Sequence, residues 1–249
     1  MTQLRGIARS LWIYYRDPSQ WRRMRALYAQ FLQRGDLAFD IGAHVGSRTR
    51  AYAALGARVI AVEPVPAAIR VLRLLYGWHP RVEVVQAAVG ATPGQMSMLV
   101  SEREPTVSTL SAEWAARMRR ERHAFARTRW GRSVIVPVTT LDELIGRFGV
   151  PAFCKIDVEG YDVQVLEGLS QPLPALSFEY VPPALDLALA CLERVDRLGS
   201  YEYNWSLGDS MRLEWPDWVS RERLAAHLAT LPRQGTPGDV YARRLQPGS

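Results

Sequence analysis

Acidic side chains follow two of the short apolar runs in this sequence, and glycines stand beside the first of them. The run that contains Asp40 leads into the turn GAHVG at 42–46, and the run AVEP ends in Glu63 and Pro64. Glycine suits a backbone that turns sharply and lets a ligand approach without a Cβ in the way. In an open α/β sheet, nucleoside ligands bind at this first crossover, and an acid ending the second strand can accept both ribose hydroxyls.

The position of Asp40 narrows the kind of ligand. The turn lacks the GxGxxG spacing of dinucleotide-binding proteins, and a carboxylate two residues before the first glycine suits a cation better than a pyrophosphate. The two acids together therefore predict S-adenosylmethionine (SAM), a sulfonium, ahead of a nicotinamide cofactor. The third run, which passes Ala87, is expected to flank the adenine. The predicted cofactor contacts are Asp40, Gly42, Ala43, Gly46, Glu63, Pro64 and Ala87.

Three further charged residues, Lys155, Asp157 and Glu159, lie in the run FCKIDVEG with a spacing of two. On a strand, such residues point to one face, and charges in a central strand are costly to bury unless they are paired or functional. An ion pair of Lys155 with Glu159 would explain two of them without any catalytic role. We expect Asp157 to act as a general base beside the SAM methyl, with Glu159 as a supporting carboxylate and His44 as a further candidate base.

A metal ion offers another way to activate a hydroxyl nucleophile. Asp157 together with Glu179 would suit a divalent cation that lowers the pKa of the hydroxyl. No cluster of histidine and cysteine in the sequence supports zinc. We therefore expect no metal site and keep the divalent cation as an alternative.

The apolar runs alternate with helical stretches, which is typical of a parallel sheet with crossover helices. This alternation predicts a Rossmann-like α/β fold with a mostly parallel sheet of seven strands and helices on both faces. Main strands are expected at 37–41, 58–63, 82–88, 152–157, 175–179, 201–206 and 239–243, with additional strands at 96–100 and 133–138. Helices are expected at 47–55, 66–76, 141–148, 162–168, 184–198 and 221–231.

Two segments stand outside this alternation. Residues 1–34 predict an N-terminal extension of two helices, broken near Asp17-Pro18. Docking on the sheet is favoured for this extension over lying on a membrane surface. Within the domain at 35–249, the arginine-rich segment 101–132 carries Trp114, His123, Phe125 and Trp130. It is expected to be a lid or substrate-recognition element, unless it is only a solvated helix.

The composition is that of an ordinary globular protein, with 48% hydrophobic and 22% charged residues. The net charge is +6, and arginine carries almost all of the positive charge because Lys155 is the only lysine. This reflects either a general preference for arginine or an anionic partner such as nucleic acid, a phosphorylated sugar or a membrane surface. The sequence shows no bilayer-spanning run or secretory signal, and its two cysteines lie far apart, so a cytoplasmic protein is expected.

Several stretches between residues 35 and 180 together resemble the FkbM family of SAM-dependent methyltransferases. These stretches are DIGAHVG, AVEP, TTLDEL, KIDVEG with VLEGL, and SFEY. Many members of that family methylate hydroxyl groups of sugars or polyketides, and they commonly have Asn where this chain has His44. The resemblance implies a SAM-dependent enzyme that methylates a hydroxyl of a sugar, glycan or polyketide-type acceptor, and it leaves the role of His44 open.

Two other functions stay open. The abundance of arginine allows a nucleic-acid methyltransferase, with ribose methylation of RNA as its form, because DVEG at 157–160 stands where enzymes that methylate base amino groups have an Asn/Asp-Pro-Pro-aromatic turn. The other alternative is a non-catalytic SAM-binding protein, against which the presence of Asp40, Glu63 and Asp157 argues. The expected partner is a small molecule or glycan, with nucleic acid not favoured, and the sequence leaves the oligomeric state undefined.

Overall fold

The structure, a computed structural model, describes residues 2–101, 104–121 and 128–245. His123 and Phe125 of the predicted insertion lie outside the described residues. The strands are β1 (Leu37–Ile41), β2 (Arg58–Val62), β3 (Val82–Val85), β4 (Ala88–Val89), β5 (Gly94–Ser101), β6 (Trp130–Thr139), β7 (Phe153–Ile156), β8 (Ala175–Tyr180), β9 (Tyr201–Leu207) and β10 (Gly238–Arg244). The helices are α1 (Thr2–Tyr15), α2 (Pro18–Tyr28), α3 (Ser47–Ala54), α4 (Pro66–Tyr76), α5 (Ala112–Glu121), α6 (Leu141–Phe148), α7 (Asp162–Glu167), α8 (Leu185–Leu198) and α9 (Arg221–Leu228).

Seven strands form the main sheet in the order β3-β2-β1-β7-β8-β10-β9. The pairs among β3, β2, β1, β7 and β8 are parallel, whereas β10 is antiparallel to both β8 and β9. The predicted α/β fold with a mostly parallel sheet of seven strands is confirmed. The strand order reverses between β1 and β7, and open α/β sheets bind ligands at the carboxyl ends of the strands where such a reversal occurs.

Alternation along the central strands separates two apolar layers. Phe39 and Ile41 of β1 pack with residues of α6, α7 and α8 on one face of the sheet. Ala38 of β1 and Phe153 of β7 pack with α2 and α3 on the other face. Because helices cover both faces of the sheet, consecutive residues of β1 and β7 are buried, and burial does not alternate along these strands. Asp40 lies on the same face as Ala38, under α3.

The third apolar run departs from the prediction of a single strand at 82–88. β3 ends at Val85, and the chain then leaves the main sheet so that Ala88 and Val89 pair with β6. The amide of Gly90 donates to the carbonyl of Thr139 at 2.9 Å, which extends this pairing. The two strands predicted as additional ones join β4 in a second sheet, of order β4-β6-β5.

The two helices that precede β1 both pack on the domain. The predicted break is confirmed: α1 ends at Tyr15, and the Asp17 side chain caps α2 by accepting a bond from the amide of Ser19 at 2.8 Å. α2 is buried against α3 and β7. α1 packs with α4 and the second sheet through Ile7 and leaves Trp12 exposed to solvent. In the part of the chain that the structure describes, no helix has the length and apolar character needed to cross a bilayer.

α5 occupies the middle of the arginine-rich segment. Its apolar face, which includes Trp114 and Met118, is buried against the chain that follows β8 at Val181 and Ala184. α5 is therefore packed on the domain through one face, while Glu113, Arg119 and Arg120 on its other face are exposed. The Trp114 ring lies directly over Gly160, where a Cβ would overlap it. The position of α5 therefore depends on the glycine at position 160, in the loop after β7, because it has no side chain.

Candidate active site

The loop that follows β1 adopts left-handed backbone conformations. Gly42 and Gly46 have φ values of 83° and 80°, and His44 has a φ of 48°. The amides of Gly42 and Ala43 donate to the carbonyl of Val62 at 2.9 and 3.0 Å, which ties the loop to β2. A Cβ at Gly42 would overlap the carbonyl oxygen of Asp157. The loops after β1 and β7 can therefore touch only because position 42 is a glycine.

Two of the predicted cofactor residues flank this loop, Asp40 before it and Gly46 at its end. Asp40 is buried, and its carboxylate accepts a hydrogen bond from Thr49 Oγ1 at 2.6 Å. Burial raises the pKa of Asp40 above its usual value. Gly46 precedes α3 as its N-cap, and a Cβ there would overlap the ring of Tyr76. Both residues support the loop, and neither is among the described residues that line the cleft above it.

Glu63 holds the loop from the neighbouring strand. Its Oε2 accepts a bond from the His44 amide at 2.9 Å, and its Oε1 accepts one from the Val65 amide at 2.7 Å. Burial raises the pKa of Glu63 to about 7. Each oxygen of a carboxylate has a second lone pair, so Glu63 retains acceptor capacity for the hydroxyls of a bound ligand.

A cleft of about 530 Å³ opens above these residues at the carboxyl ends of the parallel strands. Its size lies within the range of small-molecule sites. Its walls are mainly apolar and include Val89 of β4 and Met98 of β5, and the segment at 106–110 closes one side. The cleft brings together most of the predicted site residues, namely Gly42, His44, Glu63, Pro64, Ala87, Asp157 and Glu159.

A second pocket of about 380 Å³ adjoins the cleft. Tyr14 of α1, Ser47 and Arg48 of α3, and Thr106 supply hydroxyl and guanidinium groups to its wall, and Ala43 lines it as well. The residues that line both cavities are Gly42, His44, Thr106, Asp157 and Glu159. A ligand in one cavity would therefore meet a ligand in the other beside the carboxylate of Asp157.

Asp157 stands in a group of four buried or half-buried charges. Lys155 Nζ, which is fully buried, donates to Asp239 Oδ1 at 2.7 Å and lies 3.7 Å from Asp157 Oδ2. Arg48 Nη1 lies 3.1 Å from the same Asp157 oxygen, and its Nη2 lies 3.8 Å from Asp239 Oδ2. Two cations therefore compensate two carboxylates, which is what burial of such groups requires. The closest ion-pair partner of Lys155 is Asp239, whereas the alternative prediction paired it with Glu159.

The neighbouring carboxylates determine the charge state of Lys155. Burial alone would lower the pKa of its ammonium, but the Asp157 and Asp239 carboxylates outweigh burial and raise that pKa above its usual value. The pKa of Asp239 is lowered, because Lys155 and Arg48 outweigh the effect of its burial. Lys155 and Asp239 are therefore both charged at neutral pH.

Glu179 adds a third carboxylate to Asp157 and Glu159. One ligand oxygen from each of the three lies within 4.8 Å of the others. Glu179 Oε2 is buried without a hydrogen-bond partner among the described residues. Burial, followed by the charges of Glu159 and Asp157, raises the pKa of Glu179 well above its usual value. These three residues are the set that could hold a divalent cation, which the alternative prediction placed at Asp157 and Glu179.

His44 lies between the two cavities as a neutral imidazole. Burial lowers the pKa of its ring to about 4, although the Asp157 carboxylate opposes that effect. Its Nε2 is buried and has no hydrogen-bond partner among the described residues. At neutral pH the ring can donate or accept one hydrogen bond, but it is a weak base.

Comparison with known proteins places this geometry in a family. Residues 40–181, more than half of the chain, match the Methyltransferase FkbM domain. The chain belongs to the FkbM methyltransferase family. No curated protein matches the sequence of this FkbM chain.

Solved methyltransferases share the fold of the FkbM chain at low identity. An O-methyltransferase from Bacillus cereus, solved in complex with SAH, is 12% identical over 96% of this chain and 90% of its own, with a TM-score of 0.50. A putative O-methyltransferase from Klebsiella pneumoniae is 10% identical over 97% and 90%, with a TM-score of 0.48. A precorrin-6Y C5,15-methyltransferase from Geobacter metallireducens is 13% identical over 89% and 88%, with a TM-score of 0.46. The likeness to the Bacillus cereus enzyme shows a shared methyltransferase fold.

The FkbM chain also carries site residues that the sequence motifs did not indicate. Arg48 and Asp239 complete the charge group around Lys155, and Tyr14 and Thr106 line the second pocket. One signal was available for Asp239, because a single lysine in a central strand requires a carboxylate on a neighbouring element. Asp239 is the acid of an otherwise apolar run, DVYA, predicted to be the last strand. No sequence signal marks Tyr14, which precedes the domain motifs.

Proposed function

We propose that this FkbM chain is a SAM-dependent enzyme that methylates a hydroxyl group of a sugar, glycan or polyketide-type acceptor. The observation that carries the proposal is the meeting of two different cavities at Asp157. One has largely apolar walls and contains Glu63, an acid that could accept hydrogen bonds from ribose hydroxyls. The other is lined by hydroxyl and charged groups. A methyl donor and a polar acceptor need this arrangement, because their reacting atoms must meet at one point.

The larger cleft is the proposed SAM site. We assign the ribose hydroxyls to Glu63, and the adenine to the apolar wall at Ala87, Val89 and Met98. The loop after β1 allows close approach of the ligand, because Gly42 has no side chain. We assign Asp40 an indirect role: it is buried and bonded to Thr49, so it supports the loop without touching the ligand.

The smaller pocket is the proposed acceptor site. Its phenol, hydroxyl and guanidinium groups can donate to or accept from the several hydroxyls of a sugar. A wholly apolar acceptor would leave the phenol, the hydroxyls and the Nε of Arg48 without partners, which costs about 1–3 kcal/mol for each group that is buried unpaired. Part of this wall comes from α1 and part from the segment around Thr106. We therefore assign acceptor recognition partly to the N-terminal extension and to the insertion.

When SAM is bound, it supplies an electrophilic methyl group. We assign Asp157 as the base that removes the proton of the acceptor hydroxyl. Arg48 and Lys155 both contact Oδ2 of this carboxylate, so they fix its orientation and leave Oδ1 for the proton. A positioned base contributes about 10²–10⁴-fold, and alignment of the reacting groups contributes about 7–11 kcal/mol. Glu159 supports the charge at this point, and neutral His44 can hydrogen-bond the acceptor.

The test is incubation of the chain with methyl-labelled SAM and a panel of glycosides, free sugars and hydroxylated polyketides. We expect SAH to form in proportion to a product labelled on oxygen. Binding of SAM without SAH formation for any acceptor would indicate a non-catalytic SAM-binding protein instead. Label that enters RNA ribose, in a reaction that weakens steeply with salt, would replace the proposed acceptor class by nucleic acid.

A further inference from the structure

The exposed ends of two neighbouring helices carry five large apolar side chains. On α1, Trp12 and Ile13 are 60% and 38% exposed. At the end of α4 and just beyond it, Leu74, Leu75 and Trp78 are 77%, 44% and 94% exposed. Single exposed apolar residues are ordinary, but a cluster that includes two tryptophans marks an interaction surface. We call these five residues, together with Arg9 and Arg16, the α1–α4 face.

The spacing along α1 places its residues of the α1–α4 face on one side of the helix. Arg9, Trp12 and Ile13 follow positions i, i+3 and i+4, which share one face of a helix, and Arg16 directly follows the helix end at Tyr15. Ile7, on the other side of α1, is buried. The helix therefore docks on the domain with one face and presents the other to solvent.

The spacing on α4 continues the same surface. Ala67 and Val71 belong to the apolar cluster through which α1 packs on the domain. Leu74 extends their spacing, at i+7 from Ala67, so it projects from the α1 side of α4, and Trp78 lies two residues beyond the helix end at Tyr76. Tyr15, at the end of α1, makes a hydroxyl–hydroxyl hydrogen bond to Tyr76, at the end of α4. The ends of the two helices, which carry the exposed apolar residues, are thus neighbours.

The segments that contain α1 and α4 carry positively charged side chains and no negatively charged ones. Residues 1–16 and 64–82 contain six arginines and no aspartate or glutamate. Arg9, Arg16, Arg70, Arg73 and Arg81 are exposed, and the Arg16 guanidinium lies over the Trp12 ring, 3.7 Å from its centroid. Acids from outside these segments also lie nearby: Asp17 directly follows Arg16, Glu63 and Glu83 border the second segment, and the Glu104 carboxylate lies 4.0 Å from the Arg9 guanidinium. The face therefore combines indole rings, aliphatic side chains and guanidinium groups.

We infer that the α1–α4 face docks on an anionic phospholipid surface. Tryptophan and leucine insert into the boundary between headgroups and acyl chains, and arginine pairs with anionic headgroups while its stem stays in contact with apolar groups. A second copy of the chain is a poorer occupant, because a twofold interface would bring the arginines of both copies together without acids from these segments. A nucleic acid would pair with the arginines but would leave the leucines and Ile13 without partners.

The experiment is flotation of the full chain with vesicles of phosphatidylcholine alone or phosphatidylcholine with one quarter phosphatidylserine. We expect binding to the phosphatidylserine vesicles only, and weaker binding when the salt concentration is raised several-fold. The double variant Trp12→Ala/Trp78→Ala should bind about tenfold more weakly, because it removes both indole anchors. Because both side chains are exposed, we expect the variant to fold and to bind SAM as the parent chain does.

Matched variants separate this docking from general charge attraction. Leu207→Ala changes an exposed leucine on β9, at the opposite edge of the main sheet from β3, and Arg197→Gln removes an exposed arginine of α8. Both should bind vesicles like the parent chain. Equal binding by the tryptophan variant would overturn the inference, as would no preference for phosphatidylserine. A concentration-dependent dimer that the tryptophan variant loses, without vesicle binding, would assign the face to self-association. Salt-sensitive RNA binding without vesicle binding would also overturn it.

Discussion

The two halves of the candidate site are built in different ways. The half at β1 and β2 is local: Asp40, the loop at 42–46 and Glu63 lie within one crossover and are held mainly by hydrogen bonds to backbone amides. The half around Asp157 is assembled over long distances, because Lys155, Arg48 and Asp239 come from β7, α3 and β10. The local half sets the shape of the proposed cofactor loop, whereas the distant half sets the charge at the proposed reaction point. Substitutions in the two halves should therefore show their effects in different assays.

The largest effect is expected in the long-range half. Asp157→Asn keeps the shape of the side chain but removes the proposed base, so turnover should fall about 10²–10⁴-fold. SAM affinity, measured by calorimetry, should stay within about threefold of the parent chain, since the proposed cofactor contacts other than the wall at Asp157 lie in the other half. Normal turnover with normal SAM binding would show that Asp157 is not the base.

Loss of the buried ammonium should cost stability. Lys155→Met leaves the buried Asp239 without its closest partner, and breaking a buried pair in this way costs about 3–5 kcal/mol of unfolding free energy. Urea denaturation measures this loss, with the exposed Arg197→Gln as a control that should stay within about 0.5 kcal/mol. The double variant Lys155→Met/Asp239→Leu should lose less than the sum of the two single variants. A Lys155→Met variant as stable as the parent would contradict the assigned pairing.

Gly42→Ala tests the junction of the two halves. The new Cβ would meet the Asp157 carbonyl, and a left-handed φ strains any side chain, so a cost of about 1–3 kcal/mol is expected. Both SAM affinity and turnover should fall, unlike the result for Asp157→Asn. Gly146→Ala in α6 is the matched control, because nothing lies within 4 Å of its new Cβ, and it should be neutral or slightly stabilising.

The local half should show its own pH dependence. The pKa of Glu63 is raised to about 7 by burial, and a ribose needs the ionised carboxylate as acceptor, so SAM should bind about tenfold more weakly at pH 6 than at pH 8. Protonation of Glu63 has the opposite effect on the fold: its stabilisation is present below the ordinary value of 4.5 and is lost as the pH rises through about 7. In Glu63→Gln, SAM affinity should be low and flat with pH. Persistence of the slope would assign it to another group.

Glu179→Gln should have the smallest effect. The pKa of Glu179 is raised well above its usual value by burial and by Glu159 and Asp157, which favours the neutral form that an amide imitates. Turnover should change less than about threefold, with and without EDTA. If EDTA abolishes turnover, Mg²⁺ restores it and Glu179→Gln prevents that rescue, the three carboxylates form a divalent-cation site instead.

The sequence was sufficient to predict what depends on local order. The strand-turn-helix at 37–54, the acid after β2 and the parallel sheet follow from apolar periodicity and glycine placement. The partners of Lys155 did not follow, because the register of β10 beside β8 brings Asp239 opposite Glu179 through antiparallel pairing that no local spacing encodes. The prediction of a single strand at 82–88 was also wrong. An apolar run in the sequence does not show that the chain changes from one sheet to the other after Val85.

The burial of Lys155 has a chemical consequence for the whole chain. Every other basic side chain of Lys or Arg type is a guanidinium, so this is the one side-chain amine that the protein has. It is closed off from water and neutralised on both sides. Acylating agents and carbonyl compounds thus find no lysine to modify until the Lys155–Asp239 ion pair opens to water, and a label at this position would record that opening.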